Sequence, residues 1–239
     1  MPRVLIADDD PVSLRFLAAA LAQSGCEVVA VGDGAAALVA IQTHEFDLLL
    51  LDRRMPDLGG AELLVALRAR GAASPAIATS AEVDTVITAQ LRAAGFDDII
   101  EKPTTLARLQ HITQPYLHFS ATQPGAAETP TAPTLLDDAA ALAAIGGDTE
   151  TLYTLRGLLA QELATLEKDL GERDSIIRSE YLRERLHRLR ASCGFCGAPA
   201  LGAAAAQLEQ VLRADATNAQ STLVEFIHSC RDTLAALRG

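Results

Sequence analysis

The segment LLLLDRRMPDLGG, residues 48–60, combines a run of four leucines with a charged and glycine-containing continuation. A strand that is apolar at every position is typical of a parallel sheet whose two faces are both covered by helices. We predict a strand over residues 47–51, directly before Asp52, and a helix from Gly60 to Arg70. The segment is therefore one strand–loop–helix unit of an α/β domain.

The same alternation of strand and helix extends outward from this segment, from residue 4 to residue 113. Asp10 is predicted to cap the first helix, and Pro115 is expected to end or kink the last. Five strand–helix units in this length predict a flavodoxin-like, doubly wound parallel sheet. The further predicted strands are residues 4–7, 27–31, 76–79 and 99–100, and the further helices are residues 11–24, 34–43, 83–94 and 104–113.

Charged and hydroxyl side chains follow the predicted strands at the edge where such a sheet binds its ligands. They are Asp8 and Asp9 after the first strand, Asp52 after the third, Ser80 after the fourth and Lys102 after the fifth. Carboxylates crowded at one edge raise each other's pKa unless a cation neutralises them. Mg²⁺, a hard ion that prefers oxygen ligands, is therefore the expected cofactor.

Residues 1–119 resemble a response-regulator receiver domain, the module that accepts a phosphoryl group on an aspartate. Four segments carry the resemblance, in order along the chain: VLIADDDP, LLLLDRRMPDLGG, PAIATSAE and GFDDIIEKP. The spacing also agrees, with 28 residues from Asp52 to Ser80 and 22 from Ser80 to Lys102. Ile99 departs from the family, whose members often have Tyr or Phe three residues before the lysine. The chain therefore lacks the aromatic switch residue of the family.

The resemblance implies that Asp52 is the nucleophile that receives a phosphoryl group from a phosphohistidine. It also implies a Mg²⁺ site made by Asp9 and Asp52, by Asp8 through water, and by the backbone carbonyl of Arg54. The metal would neutralise phosphoryl oxygens that otherwise repel the attacking carboxylate.

Two further side chains have roles implied by the resemblance. Lys102 would place a cation at a phosphoryl oxygen, and Ser80 would donate a hydrogen bond from its hydroxyl. Ser80 is preferred to Thr79 because it stands five residues after the proline that precedes the strand. We also expect Arg54 to pair with Glu82 over the phosphoryl group and to slow attack by water.

Residues 120–134, SATQPGAAETPTAPT, are rich in Pro, Thr and Ala and have no apolar periodicity. We interpret them as a linker between a domain at residues 1–119 and a second domain at residues 135–239. The four long amphipathic helices of the second half predict an all-α, antiparallel four-helix bundle. With a short helix before them, the predicted helices are residues 135–145, 149–170, 174–193, 198–213 and 218–237.

His187 lies within the third of these helices, in surroundings that differ from those of a core residue. At 100° per residue the leucines of the helix lie on the opposite side, so His187 is expected to face water. The small residues Ala191 and Gly194 follow it, which leaves room for another protein to approach the imidazole. An exposed neutral imidazole is a nucleophile at cellular pH.

The run HRLRASCGFCGA, residues 187–198, resembles part of a histidine-containing phosphotransfer (Hpt) domain. The resemblance continues along the chain to Glu209. The pattern of that family is close to H-x-L-K-G-S-x-x-x-G-A. Arg190 stands where the family has lysine, and Ala191 where it has glycine. The resemblance covers residues 135–239 and implies that His187 accepts the phosphoryl group and that Arg190 steadies its oxygens.

Composition restricts the function further. The chain has 20 Lys and Arg against 31 Asp and Glu, and this acidic excess argues against a nucleic-acid partner. Apolar runs are too short for membrane insertion and the first residues do not form a signal peptide, so a cytoplasmic protein is expected. Cys193 and Cys196 lack a second Cys or His pair at zinc spacing. We interpret them as buried small side chains rather than as a metal or redox site.

Together these features predict a protein of a two-component phosphorelay that is itself phosphorylated. A sensor histidine kinase would donate a phosphoryl group to Asp52, and His187 would exchange phosphoryl groups with the aspartate of the same or another receiver. The receiver would catalyse its own phosphorylation, and no nucleotide-binding loop indicates an ATP-dependent kinase. The alternative is a regulatory protein whose receiver gates the docking of the Hpt domain, without relay from Asp52 to His187. The kinase, the direction of transfer and the oligomeric state stay open.

Overall fold

The computed structural model describes residues 1–117, 135–172, 180–214 and 219–238. The chain divides into two compact units, Met1–Gly125 and Ala126–Gly239, and each is described by itself. The predicted linker, residues 120–134, lies outside the described residues, so the proposed limits of the domains stay a prediction.

The first unit is a parallel sheet with helices between successive strands. Its five strands are hydrogen-bonded in the order β2-β1-β3-β4-β5, which is the flavodoxin-like order. This confirms the predicted α/β class. The elements are β1 (Arg3–Ala7), α1 (Pro11–Gln23), β2 (Glu27–Val31), α2 (Gly34–Thr43), β3 (Leu48–Asp52), α3 (Gly60–Ala69), β4 (Ala76–Ser80), α4 (Thr85–Ala93), β5 (Asp98–Glu101) and α5 (Leu106–Leu117).

Except for β2 and α2, the elements of this unit differ from the prediction at one or both limits. Strand β3 is shifted by one residue and includes Asp52, which is paired in register with Thr79 of β4. Helix α5 continues past Pro115 to Leu117, so of the two predicted outcomes, an end or a kink, the end does not occur. The side chain of Leu117 is buried, and this packing extends the helix through a position where a backbone donor is missing.

The central strand β3 lies in the core of the first unit, where all five of its residues are buried. One face of the sheet packs on leucines of α3, which begins directly after the loop that follows β3. A Cβ atom added to Gly60 would lie 2.4 Å from the carbonyl oxygen of Asp52. Only glycine therefore allows α3 to begin so close to the end of β3.

The second unit is a helical bundle, as predicted. Helix α8 packs against α6, α7 and α9, and α10 packs against α7 and α9. Asp174, the first residue of the predicted helix 174–193, lies outside the described residues. The helices are α6 (Asp138–Ile145), α7 (Thr149–Glu172), α8 (Glu180–Cys196), α9 (Pro199–Ala214) and α10 (Gln220–Arg238).

Helix α8 is buried on more of its surface than the leucine stripe predicts. Arg185 is buried beside the expected leucines, and its guanidinium lies 2.7 Å from both Glu162 and Asp169 of α7. The C-terminal end of α8 is pressed against the start of α6, because the N–H of Asp137 donates to the carbonyl of Gly197. The helix that contains His187 is therefore held on three sides.

Candidate functional site

Three charged side chains meet at the carboxyl edge of the sheet. Asp8 directly follows β1, Asp52 is the last residue of β3, and Lys102 directly follows β5. The Nζ atom of Lys102 donates to Oδ2 of Asp8 at 2.7 Å and to Oδ2 of Asp52 at 2.5 Å. All three side chains are buried, so residues predicted from three separate strand ends form one ionic cluster.

Backbone and hydroxyl donors orient the two carboxylates of this cluster. Asp8 accepts a hydrogen bond from the N–H of Asp10 at 3.1 Å and from the hydroxyl of Ser13 at 2.6 Å. Asp52 accepts from the N–H of Arg54 through Oδ1, at 3.1 Å. Each carboxylate is thus held by the loop or helix turn that follows its own strand.

Burial changes the acid–base properties of the cluster. Burial raises the pKa of Asp52, and the carboxylate of Asp8 raises it further, against the lowering effect of the Lys102 ammonium. Burial alone would lower the pKa of Lys102, but Asp52 and Asp8 outweigh it, so this pKa lies above its usual value. Lys102 is therefore a permanent cation beside a carboxylate that requires positive charge to stay ionised.

The donor set at this edge fits a divalent metal ion. Asp8, Asp9 and Asp52 each offer a carboxylate oxygen, and these oxygens lie within 4.8 Å of one another. Oxygen donors with net negative charge are the ligands that Mg²⁺ prefers. The backbone carbonyl of Arg54, the fourth expected ligand, stays a prediction.

Ser80 lies at the same edge, and its hydroxyl is part of a network with two neighbouring residues. The hydroxyl donates to the carbonyl of Glu82 at 2.6 Å and accepts from the N–H of Glu82 at 3.2 Å and from Nε of Arg53 at 3.0 Å. Its single proton and both lone pairs are therefore in use. Thr79, the neighbouring hydroxyl residue to which Ser80 was preferred as the donor, is also buried. Its hydroxyl has no hydrogen-bond partner among the described residues.

The expected pair between Arg54 and Glu82 does not form. Arg53 reaches Glu82 instead, with Nη2 at 3.5 Å from Oε2, whereas the side chain of Arg54 is exposed. The physical reason is that the N–H of Arg53 continues the ladder to the carbonyl of Thr79 at 2.9 Å. This bond keeps Arg53 next to β4, and the chain turns away at the following residue.

In the second unit, His187 lies beside a buried carboxylate that the sequence analysis did not assign a role. Its Nδ1 atom is 3.5 Å from Oε1 of Glu209 on α9, at the outer limit of hydrogen bonding. Glu209 also accepts from Arg190 at 2.8 Å and from Arg213 at 2.7 Å. Burial raises the pKa of Glu209, but the nearby His187 and the hydrogen bonds from Arg190 and Arg213 outweigh it and lower this pKa to about 2.

The expectation that His187 faces water is wrong, because only 6% of the residue is exposed. Leucines on one side of a helix indicate one buried face, whereas α8 packs against three helices. The histidine side of α8 faces α9 at Glu209. Arg190 is likewise engaged with Glu209, and its predicted contact with phosphoryl oxygens stays a prediction.

Three residues of the two sites were missed by the sequence analysis: Ser13, Arg53 and Glu209. Glu209 had a detectable signal, since it is an acidic residue directly after Leu208 on the buried face of α9. Ser13 and Arg53 had none, because a serine in the first turn of a helix and an arginine after a strand are common. All four cysteines are buried free thiols, and for Cys193 and Cys196 this agrees with their interpretation as small core residues.

Within the ranges given above, no helix is long and apolar enough to cross a membrane.

Two family models match the sequence. The response regulator receiver domain matches residues 4–114, and the Hpt domain matches residues 150–239.

Relatives with known names share both regions. Sensor protein GacS of Pseudomonas syringae pv. syringae is 31% identical over 237 residues, which is 93% of this chain and 26% of the relative. The signal transduction histidine-protein kinase BarA of Shigella flexneri is 27% identical over 218 residues, which is 88% of this chain and 24% of the relative. The chain therefore spans about a quarter of the length of these relatives.

Solved structures resemble the first unit. One is the receiver domain of a sensor histidine kinase from Pseudomonas aeruginosa, crystallised with a magnesium ion coordinated in the active-site cleft. It is 29% identical, covers 49% of this chain and 98% of its own chain, and has a TM-score of 0.46. On the two family matches, the chain belongs to the two-component signalling proteins and consists of a response-regulator receiver domain followed by an Hpt domain.

Proposed function

We propose that this two-component phosphorelay protein accepts a phosphoryl group on Asp52 and exchanges phosphoryl groups with receivers through His187. The observation that carries the proposal is the cluster of Lys102 with Asp8 and Asp52 at the carboxyl edge of the sheet. In this cluster the ammonium of Lys102 contacts both Asp52, the proposed nucleophile, and Asp8, a proposed contributor to the metal site.

The donor in the first step is a phosphohistidine of a sensor histidine kinase. A carboxylate oxygen of Asp52 attacks phosphorus, a P–O bond forms, and the P–N bond to the donor imidazole breaks. The imidazole leaves with the electron pair and takes up a proton. Asp9, Asp52 and the carbonyl of Arg54, with Asp8 through water, would hold Mg²⁺, which would supply positive charge to the phosphoryl oxygens.

Lys102 and Ser80 complete the recognition of the phosphoryl group. Lys102 already contacts Asp52, so a small movement of its Nζ atom brings the ammonium to a phosphoryl oxygen. Ser80 must first release the carbonyl of Glu82, because the serine has one proton to donate. Phosphorylation is therefore coupled to a rearrangement of the network that also contains Arg53.

In the second step His187 is the nucleophile and Glu209 its positioning partner. The carboxylate of Glu209 faces Nδ1, which favours the tautomer with the proton on Nδ1 and leaves the lone pair of Nε2 for attack. The P–O bond to the receiver aspartate breaks as the P–N bond at Nε2 forms. Because the hydrogen bonds from Arg190 and Arg213 help to outweigh burial and hold Glu209 ionised, it stabilises the charge that develops on the imidazole.

The relay is tested by incubating the full chain with a radiolabelled phosphohistidine kinase. We expect a base-labile label on Asp52 and an acid-labile label on His187, with the second label lost in Asp52→Asn. Matched controls are Asp57→Asn and His228→Gln, which change exposed residues of the same types in the same domains.

Two outcomes would contradict the proposal. No label on Asp52 in the wild-type chain would remove the receiver reaction. Label on His187 that is unchanged in Asp52→Asn would show that the two domains act independently. This is the alternative in which the receiver only gates the docking of the Hpt domain. The two family matches do not favour that alternative.

A further inference from the structure

Ser13 is a fully buried hydroxyl at the edge of the metal-binding carboxylates. It is the third residue of α1, and its backbone N–H donates to Oδ2 of Asp10, the cap of this helix, at 3.3 Å. Its hydroxyl does not return to the helix but donates to Oδ2 of Asp8 at 2.6 Å. The first turn of α1 is therefore tied to the carboxylate that follows β1.

The other serine at an end of this helix behaves differently. Ser24 caps the C-terminal end of α1, and its hydroxyl donates to the carbonyl of Ala20 at 3.0 Å. A hydroxyl that bonds to a carbonyl of its own helix is the common arrangement for serine. Ser13 instead gives its proton to an ionisable side chain of the site. Hydrogen bonds to charged groups are shorter and stronger than those between neutral groups.

The donors around Asp8 determine which of its oxygens has room for another partner. Oδ2 accepts from Ser13 and from Lys102, so both of its lone-pair positions are used. Among the residues that the structure describes, Oδ1 accepts only from the N–H of Asp10. A carboxylate oxygen has two such positions, so one position on Oδ1 is left for a metal ion or for a water bound to it.

We propose that Ser13 is a positioning residue that holds the carboxylate of Asp8 with Oδ1 presented to Mg²⁺. The inference rests on the proposed function, because it assumes that Asp8, Asp9 and Asp52 bind the metal. Lys102 cannot replace Ser13 in this role, since the proposed reaction requires Lys102 to turn to a phosphoryl oxygen. Ser13 is then the remaining side-chain donor that keeps Oδ2 of Asp8 in place.

The test is the affinity of the full chain for Mg²⁺, measured by isothermal titration calorimetry. We expect Ser13→Ala to raise the Kd for Mg²⁺ roughly tenfold, the lower range for loss of a partner behind a metal ligand. Ser24→Ala makes the same chemical change at the opposite end of α1 and should leave the Kd unchanged. The binding stoichiometry reports the folded fraction, so partial unfolding of Ser13→Ala lowers the stoichiometry and is separated from a change in Kd.

A second measurement distinguishes positioning from a merely structural role. Saturating Mg²⁺ raises the Tm of a protein that binds it only in the folded state. We expect this increase to be smaller in Ser13→Ala than in the wild type, whereas a structural role would lower the Tm equally with and without the metal. A wild-type Kd in Ser13→Ala, or an equal loss of Tm in both conditions, would overturn the inference.

The inference and the proposed function fail separately. Absence of Mg²⁺ binding in the wild-type chain removes the role of Ser13, whatever is found for phosphorylation. A wild type that binds Mg²⁺ but is not labelled on Asp52 by the phosphorylated kinase removes the proposed function. The comparison of Ser13→Ala with Ser24→Ala then still decides whether Ser13 orients Asp8.

Discussion

At the scale of single residues, Glu209 links the stability of the Hpt domain to pH. Its pKa is lowered from the ordinary value of 4.5 to about 2, against the effect of burial, by His187, Arg190 and Arg213. A carboxyl with a lowered pKa contributes stability that is complete above its unfolded pKa and is lost as the pH falls through the folded pKa. A shift of this size corresponds to on the order of 3 kcal/mol.

We therefore expect the free energy of unfolding of the wild-type Hpt domain to fall as the pH decreases from about 5 to 2. Glu209→Gln should lose this part of the pH dependence and should be less stable at neutral pH, because its cationic neighbours lose their partner. Urea unfolding followed by circular dichroism at several pH values measures both effects. Glu225→Gln, at an exposed position of α10, is the control. A Glu209→Gln chain with the wild-type pH profile would contradict this account.

The residue scale is also where sequence reasoning was least complete. Asp8, Asp52 and Lys102 could be placed together because parallel strands end at one edge, so topology alone brings them close. Which of Arg53 and Arg54 pairs with Glu82 depends on one backbone hydrogen bond to Thr79, and no pattern of residue types encodes it. When the direction of the backbone decides which side chains form an ion pair, the pair can therefore be identified only from the structure.

At the scale of elements, the turn between α8 and α9 determines how the helix of His187 is held. Gly197 has a φ of +64°, and a Cβ atom there would lie 2.2 Å from the carbonyl oxygen of Asp137. Gly147, between α6 and α7, also has a positive φ, of +82°, but has no atom within 4 Å of the Cβ position. The two glycines thus share the backbone conformation and differ in the space around them.

We expect Gly147→Ala to lower the free energy of unfolding of the Hpt domain by about 1 kcal/mol, the cost of left-handed backbone for alanine. Gly197→Ala should cost about 3 kcal/mol or more, because the clash with a backbone carbonyl is added and the start of α6 must move. Urea unfolding of the two variants measures the difference. Equal losses of stability would mean that the approach of α6 to this turn is not a structural requirement.

The limits of elements were predictable where local signals agree. Helix α2 has the predicted limits, because Asp33 caps its first turn, as an aspartate before Gly34 would suggest. Helix α5 was predicted to end or kink at Pro115, and burial of Leu117 overrides that local signal. Helix α8 shows the same competition, since the leucine pattern assigns His187 to solvent whereas packing against α9 buries it. Tertiary packing decides such cases, and the pattern of one helix does not contain it.

At the scale of the whole molecule, each half contains what a separate domain requires. The receiver has a core between its sheet and helices, and the Hpt domain has its own buried leucines and ion pairs. We expect fragments 1–119 and 135–239 each to fold, the first binding Mg²⁺ and the second giving a helical circular dichroism spectrum. Fragment 1–119 without secondary structure in isolation would show that the predicted limits are wrong.

The order of the strands was predictable as a whole because five alternating units allow few parallel topologies. The assembly of the helical half was predictable only as a bundle. Its interior contains Arg185 with Glu162 and Asp169, and these polar contacts between α7 and α8 follow from side-chain geometry. Apolar periodicity is therefore enough for the class of each domain and insufficient for the ion pairs inside it.

The charges around Lys102 also limit how much the proposed phosphorylation of Asp52 would change the net charge at this edge of the sheet. Asp8, Asp9 and Asp52 with one ammonium leave two net negative charges, which one divalent cation balances. An acyl phosphate with about two negative charges replaces the single charge of Asp52, so the edge gains only about one. Beyond a distance of about 10 Å, salt screens so small a difference. If Asp52 is phosphorylated as proposed, a docking protein would distinguish the two forms of the receiver by the shape of this edge and by direct contact, not by long-range electrostatic attraction.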